Sequence, residues 1–64
     1  MDLKIETYFE ELCTLRNVKF VPRVGEYISC AKGIFEVDGV MYTIDPDGAL
    51  YASIKVKDTN ISQF

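Results

Sequence analysis

The sequence is 64 residues long, 48% apolar, and sets seven basic against ten acidic side chains for a net charge of −3. That is room for one domain over residues 1–64 and no second, with enough apolar content to argue against disorder. The acidic balance disfavours non-specific binding to nucleic acid or anionic lipid, and no run approaches the roughly 20 apolar residues that span a bilayer.

The chain opens on Met1-Asp2-Leu3-Lys4, without the basic-then-apolar order of a signal peptide, so a cytoplasmic location is expected. Residues 2–6 fit two periods. Leu3 and Ile5 alternate with Lys4 and Glu6 as in a strand, while Ile5, Phe9 and Leu12 fit one helical face. Thr7-Tyr8-Phe9-Glu10 has the Thr-x-x-Glu spacing of a capping box and predicts a short helix over 7–16. Glu10 and Glu11 then fall in its positive first turn, Arg16 in its negative last turn, and Asn17 where a left-handed cap belongs.

From Val18 onward the pattern is β. Val18 and Phe20 alternate with Lys19, Pro22 removes a ladder donor, and Gly25 permits a sharp bend, so 21–25 is a predicted turn or strand edge. Tyr27-Ile28-Ser29-Cys30 is strand-like and Ala31-Lys32-Gly33 a tight connection. Asp38-Gly39 admits two solutions. A two-residue hairpin would set Val37 against Val40 and Phe35 against Tyr42, whereas one long strand over 33–44 with a bulge at Gly39 also restores the apolar parity.

Asp45-Pro46-Asp47-Gly48 is the clearest turn: Pro presets φ for the first central position and Gly48 suits the left-handed position that follows. It leads into residues 50–57, whose even positions are apolar and whose odd positions, Tyr51 apart, are polar, as in a strand with one face on the core. Residues 58–64 have no period and read as a tail. The expected fold is α+β and mostly β, with four or five antiparallel strands in a meander curled into a small barrel behind a short N-terminal helix.

Chemistry has few places to reside. With no His, neither Cys13, Cys30 nor any Ser has its usual base, and two cysteines cannot complete a four-ligand zinc site. Both cysteines are expected to be buried, reduced thiols. Asp45 and Asp47 begin like a calcium loop, but Ala49 and Val56 stand where ligands are required. The four glycines are scattered over turns and form no phosphate cradle. No catalytic residue, cofactor or metal is therefore assigned. Two surface groups remain. Arg16, Lys19 and Arg23, interleaved with Phe20, could contact nucleic acid, and Tyr51 with Lys55 and Lys57 could anchor a protein partner.

Phe20-Val21-Pro22-Arg23-Val24-Gly25-Glu26-Tyr27-Ile28, followed by Gly33-Ile34-Phe35-Glu36-Val37 and Tyr42-Thr43-Ile44-Asp45, resembles small SH3-like β-barrel proteins of phages and bacterial mobile elements. There a Pro-x-x-Gly-acidic-x-aliphatic turn feeds the barrel, and the resemblance covers about half the chain. It implies a compact accessory module, an adaptor or inhibitor, and carries no site with it. The expected function is a non-enzymatic protein-binding module acting through an exposed sheet face or edge. The alternatives are an SH3-like or OB-like nucleic-acid-binding domain using Arg16, Lys19 and Arg23, and a structural homo-oligomer paired through an edge strand.

Overall fold

The computed structural model describes residues 1–63, so Phe64, the last residue of the expected tail, lies outside the described residues. The described chain forms five strands: β1 (Asp2–Glu6), β2 (Glu11–Leu15), β3 (Tyr27–Cys30), β4 (Gly33–Ile44) and β5 (Leu50–Asp58). They make one curled sheet in the order β2-β1-β5-β4-β3, with β2 and β3 at its two edges. The sheet is a half-barrel, open between those edges.

The predicted helix over 7–16 is absent, and its residues instead close and continue a β1–β2 hairpin. The cause lies in the bond that a capping box shares with a tight turn. Thr7 Oγ1 accepts from the N–H of Glu10 at 3.0 Å and of Phe9 at 3.1 Å, as an N-cap would, yet the Thr7 N–H donates to the Glu10 carbonyl at 2.8 Å and closes the turn. The Glu10 carboxylate, which in a capping box would reach back to the cap, goes to Lys32. With the cap gone, the strand period of Leu3 and Ile5 prevails, and both side chains are buried. Asn17 does take a left-handed φ of 56°, but it turns the chain out of β2, where the N–H of Val18 returns to the carbonyl of Met1 at 2.9 Å.

The expected antiparallel meander holds for β3-β4-β5, and β1 pairs antiparallel with β2, but the pair that joins the two sets is parallel. β1 lies parallel to β5, with Leu3 beside Ala52 and Ile5 beside Ile54. Parallel neighbours need a long crossover, here the whole stretch through β2, β3 and β4. Between Asp38 and Gly39 the bulge is the solution adopted. Val37 pairs with Val56 and Gly39 with Lys55, which leaves Asp38 unmatched in a continuous β4, and Gly39 has no positive φ such as a tight hairpin turn requires. The extra residue flips the parity, so Val40, Tyr42 and Ile44 continue on the face of Val37, opposite Ile54, Ala52 and Leu50.

The Asp45–Gly48 turn forms as its residues demand. Gly48, at φ 90°, donates to the Asp45 carbonyl at 2.8 Å, and the Asp45 N–H donates to Ala49 at 2.8 Å. The strand that follows buries its even positions Ala52, Ile54 and Val56. With Leu3, Ile5, Phe35 and Val37 they form the core on the concave face. A single sheet needs a second layer over that face. Residues 16–26 supply it: they run from one sheet edge to the other, and Val18 and Val21 pack on the core. The cysteines depart from expectation, because Cys13 and Cys30 sit on the two edge strands and both are exposed and free. Thr59 fixes the start of the tail by donating to the Ile34 carbonyl at 2.8 Å.

Candidate protein-binding groove

Tyr51, Lys55 and Lys57 alternate along β5 on the convex, polar face. Lys55 sits beside Glu6 across the parallel β1–β5 pair, and its Nζ lies 2.7 Å from Glu6 Oε1. The same ammonium stands 5.4 Å from the centre of the Tyr8 ring. Tyr8 in turn reaches from the β1–β2 turn to donate its hydroxyl to the bulged Asp38, whose other carboxylate oxygen is 3.7 Å from Lys57 Nζ. Glu6, Lys55, Tyr8, Asp38 and Lys57 thus form a polar clasp that ties β1, β5 and the β4 bulge together. Tyr51 stands apart from it at the other end of β5, level with Asp2 and Thr43.

The clasp leaves its mark on titration. The Lys55 ammonium holds Glu6 below the usual carboxylate range. The bond to Asp38 holds the Tyr8 phenol above its ordinary value, with partial desolvation adding to it. A second link joins the β1–β2 and β3–β4 turns: Lys32 Nζ meets Glu10 Oε1 at 2.7 Å, and that bond raises the lysine. It rims a recess of about 340 Å³ that includes Leu12, Phe35 and Val56, beside a Phe9 that is 96% exposed.

Arg16, Lys19 and Arg23 all lie on the segment that covers the concave face. Arg23 is engaged in its own turn, where its N–H donates to Glu26 Oε1 at 2.7 Å and its guanidinium is 3.5 Å from the same carboxylate. The backbone bond is the larger reason that Glu26 titrates low. Arg16 and Lys19 make no salt bridge among the described residues. Phe20 stands between them and Arg23, 78% exposed.

Where this segment crosses the sheet it does not seal it. An apolar groove of about 490 Å³ opens between Leu15 at the end of β2, Val18, Phe20 and Pro22 of the crossing segment, and Ile28 of β3. Its floor is the core itself, Leu3 and Ile5, and Lys19 stands on its rim. Sequence reasoning misses this groove because its walls come from three separate stretches brought together by the parallel β1–β5 pair. The available signal is the apolar alternation of Val18 and Phe20 beside Pro22, in a segment too rich in large apolar side chains for a plain linker.

Among the described residues no group of three or more His, Cys, Asp and Glu is placed to hold a metal ion, and no helix is long and apolar enough to cross a membrane. Comparison of the chain with protein-family models, with curated proteins and with solved structures gives no match.

Proposed function

We propose that the protein is a non-enzymatic protein-binding module whose concave groove takes an extended peptide segment combining large apolar side chains with Asp or Glu. The observation that carries this is the groove over Leu3 and Ile5, apolar in its walls and rimmed by Lys19. An apolar recess that reaches a core suits an anchoring side chain, and surrounding polar groups set orientation. Lys19, a cation without a salt bridge among the described residues, makes the rim complementary to carboxylates, and Arg16 on the same segment likewise has no salt bridge there. The resemblance to small SH3-like barrels of phages and mobile elements points the same way, to a compact adaptor or inhibitor.

Selection from a displayed library of random short peptides tests this. Enriched sequences should pair apolar anchors with acidic residues, bind less well as salt rises, and lose about tenfold or more in affinity, roughly 1.4 kcal/mol, on Phe20→Ala or Lys19→Glu. Peptides without acidic residues, or equal binding by both variants, would remove the groove from consideration.

A second reading draws on Phe20, exposed between Lys19 and Arg23, as a base-stacking platform on a basic segment. Its signature is salt-sensitive oligonucleotide binding that is lost on Arg23→Ala and on Phe20→Ala. The net charge of −3 and the pairing of Arg23 with Glu26 weigh against it.

A further inference from the structure

Strand β4 runs from Gly33 to Ile44, but its neighbour β3 pairs only with residues 33–36, and beyond that the backbone of Val37 bonds to Gly25 and Glu26. Past the bulge, residues 40–44 have β5 on one side and no backbone partner on the other among the described residues. Val40-Met41-Tyr42-Thr43-Ile44 is thus a further, internal sheet edge. It is composed of β-branched, aromatic and apolar residues, with no charge and no proline, and Ile44 is 71% exposed. Edge strands are ordinarily blunted by charge, proline, a bulge or a cover. β2 has Glu11 and a bulge, whereas this stretch has none of these within it.

We infer that two copies of the chain pair antiparallel through residues 40–44 about a two-fold axis at Tyr42. In that register Val40 faces Ile44 of the second copy, Met41 faces Thr43, and Tyr42 faces its own equivalent, so every contact is neutral and self-complementary. Residues of one parity meet residues of the same parity, so outward-pointing N–H and C=O groups on both copies find each other. The pairing fits the free length. It ends where Asp45 of one copy reaches Gly39 of the other, and the Asp45–Gly48 turn then leads the chain away before it meets the segment on Val37. Within residues 40–44 two chains that each carry a net charge of −3 meet without a like-charged contact. The exposed inner-face residues Tyr42, Ile44 and Leu50 of both copies then lie on one face of a continuous sheet.

The test is the mass of the full-length chain by sedimentation equilibrium across a concentration series, with Tyr42→Lys and Tyr42→Glu measured separately and mixed. The parent should approach twice the monomer mass. Each variant should remain monomeric, weakened about tenfold or more by like charges at the axis, and the mixture should recover the dimer as a heterodimer. Far-ultraviolet circular dichroism establishes that the variants are folded, and Ile44→Asp, at a more exposed position, serves as the second variant. A parent that stays monomeric, whether or not another protein's strand pairs here, overturns the inference, as does a dimer that survives both folded variants. Peptide binding in the groove is separate, since residues 40–44 contribute nothing to its lining.

Discussion

The two faces of this sheet use their cations in opposite ways. On the convex face, Lys55 and Lys57 are bound into the clasp with Glu6, Asp38 and Tyr8. Over the concave face, Arg16 and Lys19 have no salt bridge among the described residues, and Lys19 borders an apolar groove. A small chain has little surface to spare, so a cation consumed by its own fold is poorly placed to recognise anything else. The difference teaches that residue type alone does not separate a structural charge from a recognition charge. What separates them is whether the fold supplies a counter-ion.

The largest effect falls where the two faces share a foundation. Leu3 is buried to 2% exposure, and it both belongs to the core and floors the groove. Leu3→Ala should cost about 2–5 kcal/mol in chemical denaturation, a large share of the stability open to so small a domain, and binding should fall with folding. A loss of binding in a Leu3→Ala chain of undiminished stability would show that the groove is not built on the core.

Changes confined to the groove rim should separate the two faces. Phe20→Ala and Lys19→Glu should leave stability within about 0.5 kcal/mol while reducing peptide affinity about tenfold or more, read by calorimetry and thermal melting on the same samples. The clasp should behave inversely. Tyr8→Phe removes the hydroxyl that holds Asp38 and should lower the melting temperature slightly with peptide affinity unchanged; a matching loss of affinity would erase the distinction between the faces.

Proton linkage gives the smallest effect and the most diagnostic sign. Glu6 is held low in the folded chain, so its contribution is present above the ordinary carboxylate range and is lost as pH falls through the lowered value. Tyr8 is held high, so its contribution is present below the ordinary phenol range and is lost as pH rises through the raised value. Lys32, raised by Glu10, acts in the same alkaline sense. Stability measured against pH should therefore lose part of its acid limb in Glu6→Gln and part of its alkaline limb in Tyr8→Phe, each without the other.

Legibility in the sequence followed the kind of signal. The Asp45–Gly48 turn and the alternation of β5 were readable because Pro46 and Gly48 restrict the backbone itself, and a half-buried strand has one parity to satisfy. The bulge at Asp38 was readable as one of two solutions, since both restore the same apolar face. The first hairpin is hidden in the sequence because a Thr hydroxyl bonded to the N–H three residues on serves a helix start and a tight turn equally; in the fold the Glu10 carboxylate goes to Lys32 instead of back to the cap. Cys13 and Cys30 were expected inside because free thiols usually are, whereas the unclosed half-barrel leaves both edge strands at the surface. Arg16, Lys19 and Arg23 were recognisable as a basic segment. The position of Lys19 at the groove was not, because it follows from the parallel pairing of β1 with β5, which local periodicity does not encode.

The most direct test of the groove is a nitrogen–proton correlation spectrum of the labelled full-length chain, titrated with an acidic, apolar peptide from the selection. Shifts should concentrate on Leu15, Val18, Lys19, Phe20 and Ile28, with Leu3 and Ile5 following beneath them. Shifts centred on Tyr51, Lys55 and Lys57 of the convex face, with the groove residues unmoved, would contradict the account.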